Sequence, residues 1–464
     1  MISSRRSPVP TKLRVNLRLD LGSARFLLIW FGQLVSIIGS GLTSFALGIR
    51  VYQLTGSVTR FAFISVCFTL PAILVFPLAG VIIDRSNRRT VMLASDLAAG
   101  FSTLVLACLF FFGSLSLWEI CLLVGIGSLA EAFRLPSYTA ILGQMVSAQH
   151  IGRISGLLQF APAAAQVVAP ALAAVMMGAI GLKGVLLVDF LTFIVAISTL
   201  LAVDIPVLPR EAAHTSWLKD TAEGLKFIAR RRGLSALLSF FFIINFTYST
   251  AQILLPPVVL AFTSPKMLGA ILSSGAVGYL GGSILMVLWR GPQKRVHGLL
   301  ISAFVYALSL VLAALSASSA LITLAAFIMF SQIPVMNTCS QAIWLFKVPL
   351  SMQGRVFSTR MMLAWSSIPF AYFLAGPLAD RVFEPLLQAN GKLANTWISC
   401  IGIGRGRGTA FLLMLNGVLA LMFVAGYYLK PQFLHVEKNL PDTVANHSSK
   451  IDDGTSLTDS VFSA

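Results

Sequence analysis

Long apolar segments separated by short polar ones are the feature that most constrains this chain of 464 residues. A helix needs about 20 apolar residues to cross the hydrocarbon of a bilayer. Helices suit this environment because each one satisfies its own backbone hydrogen bonds, which lipid cannot do. The apolar segments therefore predict an all-α integral membrane protein. Twelve spans are predicted, at residues 26–48, 61–83, 90–113, 117–141, 155–178, 184–203, 234–262, 267–289, 298–318, 320–346, 361–379 and 409–429.

The composition also indicates a membrane protein and argues against nucleic-acid binding. Apolar residues make up 57% of the chain and charged residues 11%, whereas soluble domains contain about 25% charged residues. The net charge of +17 is large. In a chain this apolar, an excess of Lys and Arg sets the orientation in the membrane, because basic loops stay on the cytoplasmic side. We therefore predict no nucleic-acid partner.

Most of the 34 Lys and Arg residues fall in tails and loops on one side of the predicted spans. An even number of spans puts both chain ends on that side. The pattern predicts cytoplasmic termini and a multi-pass protein of the plasma membrane, which is the inner membrane in a bacterium. Membrane lipids are then among its partners, and we expect a monomer.

Repeated residues indicate that the chain consists of two similar halves. Gly152-Arg153 precedes the fifth span, and Gly354-Arg355 precedes the eleventh. Each of these spans also carries two prolines that are eight positions apart, which we expect to bend the helices. The prolines are Pro162, Pro170, Pro369 and Pro377. The repeats predict two pseudo-symmetric six-helix bundles, an arrangement typical of transporters with duplicated halves.

The predicted bundles, residues 26–204 and 234–430, are joined by a cytoplasmic linker, residues 205–233. The linker contains an amphipathic helix that lies either on the membrane surface or in solvent. Its apolar face is formed by Trp217, Thr221, Leu225 and Ile228. The other predicted segments are a cytoplasmic N-terminal tail (1–25), an external loop (381–408) and a disordered cytoplasmic tail (431–464).

The segment between spans 2 and 3 carries charged residues at fixed distances from a glycine. It reads Gly80-Val-Ile-Ile-Asp84-Arg85-Ser-Asn87-Arg88-Arg89. This segment resembles the loop between helices 2 and 3 of the major facilitator superfamily, whose pattern is Gly-x-Leu-Ala-Asp-Arg-x-Gly-Arg-Arg. The resemblance implies a solute transporter.

We call Gly80, Asp84, Arg85, Arg88 and Arg89 the gate motif. The resemblance implies that Asp84 contacts the start of helix 11 or a nearby Arg and holds the cytoplasmic gate shut, since a helix N-terminus attracts a carboxylate. A simple positively charged hinge is the alternative. Asn87 replaces the second Gly of the pattern, and Asn tolerates the left-handed backbone conformation.

Further segments resemble one exporter branch, which includes macrolide-efflux and enterobactin-exporter proteins. They are Tyr52-Gln-Leu-Thr-Gly-Ser57, Asp96, Glu223-Gly224-Leu225 and Gln353-Gly354-Arg355-Val356. Span 5 has the spacing of the superfamily's antiporter motif, with Ala in place of each Gly. It reads Ala165-x-x-x-Ala169-Pro170-x-x-Ala173-Ala174. Ordinary packing of small residues explains this spacing equally well.

Polar residues collect on spans 1, 4, 7 and 10, which line the cavity in this superfamily. Ionisable residues inside a bilayer are costly, and they face a cavity or a partner. The candidates for proton coupling and for the cavity are Glu131, Arg134, Asp96, Gln33, Asn245, Gln252, Asn337 and Gln341. Glu131 and Arg134 are three apart and share a helix face. Either Glu131 exchanges a proton while Arg134 holds an anionic substrate group, or the two form a static ion pair.

The resemblance and the polar residues predict a secondary active transporter that exports a hydrophobic or amphipathic small molecule, such as a drug, siderophore or secondary metabolite, by proton antiport. A same-fold importer of a nutrient, or a translocator of a lipid or lysophospholipid, is the alternative. An enzyme is not expected, because all five histidines lie in loops or tails and the spans contain no metal or nucleophile cluster. We predict protons and the small-molecule substrate as partners, with no metal and no other cofactor.

Overall fold

The computed structural model describes residues 21–113, 116–144, 151–203, 217–289, 291–315, 317–349, 352–387 and 404–439. For some helical residues, among them Gly80, Asp84 and Arg85, only the backbone is described. The first half contains α1 (Leu21–Thr55), α2 (Val58–Arg85), α3 (Arg88–Phe112), α4 (Leu117–Gln144), α5 (Ile151–Ala179) and α6 (Gly181–Ala202). The linker helix is α7 (Trp217–Ala229). The second half contains α8 (Arg232–Leu260), α9 (Pro265–Trp289), α10 (Arg295–Leu315), α11 (Ser319–Lys347), α12 (Gln353–Trp365), α13 (Ser367–Pro377), a π-helical segment (Leu378–Phe383), α14 (Glu384–Leu386), α15 (Arg407–Tyr428), α16 (Pro431–Leu434) and α17 (Val436–Asn439).

Among the described residues, eleven helical segments are long and apolar enough to cross a membrane, with Arg355–Leu386 counted as one segment. Helix α5 has 29 residues and occupies the position of the fifth predicted span. The eleventh span is longer than predicted, since helical structure runs from Gln353 to Leu386 with one turn at Ser366. The prediction of an all-helical membrane protein is confirmed.

The two halves pack their helices in the same order. In the first half, α1 packs on α5 and α6, α4 on α2 and α3, and α3 on α6. In the second half, α8 packs on α13 and α15, α11 on α9 and α10, and α10 on α15. Small residues permit these close crossings. Gly278 and Gly282 of α9, for example, leave no room for a Cβ against the backbone of α11, and this spacing is typical of membrane helix packing.

Both described chain ends lie on the same side of the helix bundle as α7. We call this the tail side, and the opposite side the far side. A buried cluster holds the tail-side ends of α1, α3, α4 and α6 together. It contains Phe26, Ile29, Met92, Tyr138, Ile141, Leu200 and Val203. The excess of basic residues predicts that the tail side is cytoplasmic.

The predicted external loop 381–408 is partly wrong, because residues 381–387 continue the helical structure that begins at Gln353. The Glu384 carboxylate explains the order of this segment. It accepts hydrogen bonds from the backbone N–H groups of Gly406 and Thr409, at 2.5 and 3.1 Å. A carboxylate in this position satisfies N–H groups that a helix start leaves without partners. Residues 388–403 lie outside the described residues.

The predicted disordered tail is wrong for residues 431–439, which form α16 and α17. Phe433 is fully buried, and its ring contacts that of Phe240. The Glu437 carboxylate accepts hydrogen bonds from the first N–H groups of α10. The polar composition of the tail does not predict these two contacts, because their partners lie in helices that are distant in sequence. Residues 440–464 lie outside the described residues.

The linker helix α7 packs on protein, mainly on α12. Its buried face includes Phe227 and Ile228. Leu225 was predicted to share the apolar face with Ile228, but it is 48% exposed. The predicted face is therefore partly wrong, since contacts with α12 decide which side of the helix is buried. Residues 204–216 of the linker and 1–20 of the N-terminal tail lie outside the described residues.

Candidate functional site

A cavity lies between the two halves, where α1, α2 and α5 meet α8, α9, α11 and α13. Its volume is about 470 Å³, within the range of roughly 300–1,000 Å³ found for pockets that hold drug-sized molecules. Most of its wall is apolar, and Gln252 supplies an amide group. The aromatic residues of the wall are Phe45, Phe61, Phe68, Phe330 and Tyr372.

The two halves close the cavity toward the far side. Helix α2 packs on α13 and on the π-helical segment, while α5 packs on α9. Glycines allow both crossings. Gly376 lies against the backbone of Thr59, and Gly269 lies against Ala174, with no room for a Cβ at either position.

Toward the tail side the two halves separate. Helix α12, the tail-side part of the eleventh span, packs mainly on α7, α8 and α13, which belong to the linker and its own half. Helix α4 packs mainly on α2, α3 and α5. The hydrogen bonds from Tyr52 to Pro257 and from the start of α2 to Asp380 join described residues of the two halves, and all of them lie on the far side. In this conformation the cavity therefore opens to the tail side.

Four predicted site residues form one hydrogen-bonded network in the first half. The Arg134 guanidinium donates to the Glu131 carboxylate at 2.6 Å and to the Gln33 amide oxygen at 3.0 Å. The Gln33 amide nitrogen donates to the Asp96 carboxylate at 2.9 Å. Because a guanidinium can only donate, it fixes the orientation of the Gln33 amide. Helices α1, α3 and α4 thus hold one cation between two carboxylates.

The members of this network differ in their access to the cavity. Arg134 and Asp96 are buried, whereas the Glu131 side chain is 47% exposed. Glu131 follows Leu122, an outward-facing residue of α4, by nine positions. Since a helix turns about 100° per residue, Glu131 points to the opposite side, toward the space between the halves. An accessible carboxylate therefore lies near the cavity opening, with a buried cation behind it.

A second buried carboxylate, Asp189 of α6, was not among the predicted site residues. Its carboxylate accepts a hydrogen bond from the Thr43 hydroxyl of α1 at 2.6 Å and a longer one from Thr103 of α3 at 3.5 Å. It does not line the cavity. A charged residue within an apolar span indicates a buried partner, but the sequence does not identify that partner.

The second half contributes neutral polar groups near the cavity. The Gln252 amide donates to the Tyr248 hydroxyl at 2.9 Å. The Asn245 amide donates to the backbone carbonyl of Ala364 at 3.3 Å, so it joins α8 to the end of α12. Of these predicted residues, Gln252 lines the cavity wall and Asn245 stabilises the neighbouring helix pair.

The tail-side part of α11 extends this polar surface. Asn337 and Gln341 are exposed and lie near the face of α11 that carries the cavity residue Phe330. The Gln341 amide oxygen accepts a hydrogen bond from Arg360 at 2.9 Å. The Arg360 guanidinium also lies over the Trp344 ring, 5.2 Å from its centroid. Among the described residues, Arg360 has no carboxylate partner.

The structure describes part of the gate motif. Only the backbone of Gly80, Asp84 and Arg85 is described, so the contact of Asp84 with the start of the eleventh span or a nearby Arg stays a prediction. Arg88 is the first residue of α3. Arg89 donates to the backbone carbonyl oxygens at the end of α6, at 3.0 and 3.2 Å, and so joins α3 to α6.

Asn87 has a different role from the one expected. Its backbone is extended, with φ −72°, so this position does not need a residue that tolerates the left-handed conformation. The Asn87 side-chain oxygen accepts a hydrogen bond from the Arg89 N–H at 3.0 Å. Asn87 therefore caps the start of α3, for which Asn is among the preferred residues.

The four predicted helix-bending prolines lie in the corresponding helices α5 and α13. Pro162 and Pro170 line the cavity from within the continuous helix α5. Pro369 follows the turn at Ser366, and Pro377 directly precedes the π-helical segment. A proline removes a backbone donor, which accounts for local irregularity in the eleventh span.

The far-side junction contains a carboxylate that the sequence motifs did not identify. Asp380 accepts hydrogen bonds from the Ser57 hydroxyl at 2.6 Å and from the N–H groups of Val58 and Thr59, both at 2.9 Å. A sequence signal for it exists. Leu374-Ala375-Gly376-x-x-x-Asp380-Arg381 repeats Leu78-Ala79-Gly80-x-x-x-Asp84-Arg85, which overlaps the gate motif.

The fold and cavity define a multi-pass α-helical membrane protein with one site between two similar halves. The sequence matches the profile of the Major Facilitator Superfamily over residues 29–372. The chain belongs to this family, whose members are transporters and not enzymes.

Relatives within the family confirm the predicted resemblance to macrolide-efflux proteins. Macrolide efflux protein A of Streptococcus pyogenes is 26% identical over 385 residues, which cover 82% of this chain and 94% of that protein. Multidrug efflux pump Tap of Mycolicibacterium fortuitum is 25% identical over 372 residues, which cover 76% of this chain and 89% of that protein.

Solved structures share the fold at low sequence identity. The nucleoside transporter NupG matches with a TM-score of 0.65 at 13% identity, over 88% of this chain and 99% of that one. A bacterial homologue of the human lysosomal transporter Spinster matches with a TM-score of 0.68 at 13% identity, over 90% of this chain and 97% of that one.

Proposed function

We propose that this protein is a secondary active transporter that exports a hydrophobic or amphipathic small molecule in exchange for protons. The cavity carries this proposal. Its aromatic and aliphatic wall suits an apolar ligand, and the Gln252 amide can orient a polar group on that ligand. The excess of basic residues predicts that the open tail side faces the cytoplasm of a bacterial cell. An exported compound would enter the cavity from there. We propose that the protein works as a monomer.

The relatives support export over import, because two of them are efflux proteins by name. A drug, siderophore or secondary metabolite is the substrate class that fits this relationship and the cavity. A nutrient importer or a lysophospholipid translocator of the same fold remains the alternative function, and the direction of transport separates it from an exporter.

The network of Glu131, Arg134, Gln33 and Asp96 supports proton coupling. Glu131 is accessible at the cavity opening and can exchange a proton with water there. Protonation of Glu131 would remove one of the two negative charges near the buried Arg134. The other is the Asp96 carboxylate, which Gln33 connects to Arg134 by hydrogen bonds. The balance of charge between α1, α3 and α4 then changes, and such a change can shift a conformational equilibrium.

Transport into everted membrane vesicles tests the proposal. Vesicles containing this protein and energised by a proton gradient should take up labelled erythromycin, and a protonophore should stop the uptake. We expect Glu131→Gln to abolish gradient-driven uptake. Glu119→Gln is the matched control, because Glu119 lies on the same helix and, among the described residues, its carboxylate bonds only to Ser116, three positions earlier. Full uptake by Glu131→Gln would favour a static ion pair with Arg134.

A comparison of small molecules in cells and medium, with and without the gene, identifies substrates other than a macrolide. Accumulation inside cells that lack the gene supports export. If instead a compound stays in the medium of those cells because they no longer take it up, the exporter proposal is wrong and the importer replaces it.

A further inference from the structure

One carboxylate connects the two halves on the far side. Asp380 of the second half binds the first residues of α2 in the first half, through the Ser57 hydroxyl and the N–H groups of Val58 and Thr59. Ser57 is also the N-cap of α2. The first N–H groups of a helix have no partner within it, and the helix dipole attracts negative charge to this end. Asp380 satisfies both requirements.

The surroundings of Asp380 permit this contact to form and break. Gly376, one turn earlier, lets α13 approach the backbone of Thr59 closely. Asp380 also lines a cleft of about 430 Å³ together with Tyr52 and Arg405. Water in this cleft can replace the α2 N-terminus as a hydrogen-bond partner, so the carboxylate need not stay unsatisfied when the halves separate.

The sequence around Asp380 repeats that of the gate motif, at the end of a helix that runs in the opposite direction. Helix α2 ends on the tail side with Leu78-Ala79-Gly80-x-x-x-Asp84-Arg85. The eleventh span reaches the far side with Leu374-Ala375-Gly376-x-x-x-Asp380-Arg381. Asp84 is predicted to contact the start of the eleventh span or a nearby Arg, and Asp380 contacts the start of α2. With the eleventh span as the partner of Asp84, the two contacts would be reciprocal and on opposite sides.

We propose that Asp380 is a far-side latch. Its carboxylate holds the N-terminus of α2 while the cavity is open to the tail side, and it releases that N-terminus when the cavity opens to the far side. The step changes no covalent bond, because hydrogen bonds between protein groups are exchanged for hydrogen bonds to water. The latch acts on the conformational cycle, so it does not rest on the identity of the substrate or on proton coupling.

Glu384 provides a matched control. It lies one turn after Asp380 and also binds the start of a helix, through the N–H groups of Gly406 and Thr409. These partners belong to the same half as Glu384, so their bonds persist when the two halves separate. A general effect of removing a carboxylate would appear in both variants, whereas loss of a latch would appear only in the Asp380 variant.

Distances between pairs of spin labels test the latch in the full-length protein in lipid nanodiscs. The five native cysteines are first replaced by serine. Leu54→Cys and Lys266→Cys report the far side, while Thr90→Cys and Lys294→Cys report the tail side. All four side chains are exposed, and each pair joins one half to the other.

In Asp380→Asn we expect the ratio of far-side-open to tail-side-open protein to rise on the order of tenfold, the effect of weakening charge-assisted hydrogen bonds. The far-side distance lengthens and the tail-side distance shortens. Ser57→Ala, which removes one donor, shifts both distances in the same direction by less. Glu384→Gln leaves both distances as they are in the protein with neither substitution.

Unchanged distances in folded Asp380→Asn, or an equal shift in Glu384→Gln, would overturn the latch. If Asp380→Asn does not fold, Ser57→Ala decides, and the absence of a shift in that variant overturns the proposal. No substrate or proton gradient is present in this measurement. A failed latch therefore leaves the exporter proposal standing, and a failed transport test leaves the latch standing.

Discussion

The two walls of the cavity share one helix arrangement but differ in their chemistry. The first half has a network of three charged groups, Glu131, Arg134 and Asp96, of which two are buried. The second half has neutral groups, such as Gln252 and Tyr248. Buried charges are costly in a membrane, and ionisable residues found there mark functional sites. We interpret the first half as the site of proton coupling and the second as a surface that recognises ligand shape and hydrogen bonding.

The offset between the repeats makes the comparison specific. The paired positions Arg153 and Arg355 are 202 residues apart, and Pro162 and Pro369 are 207 apart. Asn337 follows Arg134 by 203 residues, within the same range. The offset places an amide in α11 at the sequence position that corresponds to the guanidinium in α4, although Arg134 is buried and Asn337 is exposed. The buried ionic network of the first half therefore has a neutral counterpart in the second.

Removal of the central cation should have the largest effect. Arg134→Met retains an unbranched side chain but removes the guanidinium. Asp96 then lacks the cation that compensates its charge. Removing one partner of a buried charged pair costs about 3 kcal/mol or more, so we expect a clear loss of thermal stability together with loss of transport. Thermal unfolding in detergent and vesicle uptake measure the two effects. Normal stability and uptake in this variant would contradict the role given to the first half.

Asp189 tests whether a buried carboxylate outside the Glu131–Arg134–Gln33–Asp96 network affects proton coupling. Asp189→Ala removes the acceptor of the buried Thr43 hydroxyl, which should cost about 2 kcal/mol of stability. Since Asp189 does not line the cavity, we expect the remaining folded protein to transport with an unchanged pH dependence. A shifted pH profile, measured by uptake across imposed pH gradients, would place Asp189 in the coupling pathway.

The sequence predicts those features that depend on local pattern. The span positions follow from the bilayer thickness, which any helix must match, and the contact between Glu131 and Arg134 follows from their spacing on one helix. The family could be inferred from the segment that begins at Gly80 and joins α2 to α3. Each of these signals lies within one helix or one turn, so no knowledge of the tertiary structure is needed.

Contacts between distant segments could not be predicted in the same way. Ser57 and Asp380 are 323 positions apart, and no local pattern pairs them. Residues 381–387 read as a loop because their charges suit solvent, but Glu384 binds the start of α15 instead. Likewise, the link between Gln33 and Asp96 depends on how α1 packs beside α3. Such pairings follow from the tertiary packing of the helices.

The second half can be tested without changing charge. Gln252→Leu keeps the size of the side chain but removes the amide from the cavity wall. We expect the KM for a transported substrate to rise about tenfold, as when one hydrogen bond to a ligand is lost, while the pH dependence of transport stays the same. Uptake measured over a range of substrate concentrations checks this. A shift in pH dependence instead would mean that the second half takes part in coupling.

Arg360 offers the finest test, because it is a cation of the second half beside the cavity opening. Its guanidinium is held by Gln341 and the Trp344 ring, and no carboxylate among the described residues pairs with it. A proton relay needs a group that gains and loses a proton, which an Arg does not do. We therefore expect Arg360→Gln to change uptake of an uncharged substrate by less than about threefold, within the range of an exposed interaction. Gradient-driven uptake could instead be lost in this variant while Gln252→Leu retains it. Charge in the second half would then also drive the cycle, and the division of roles between the two walls would be wrong.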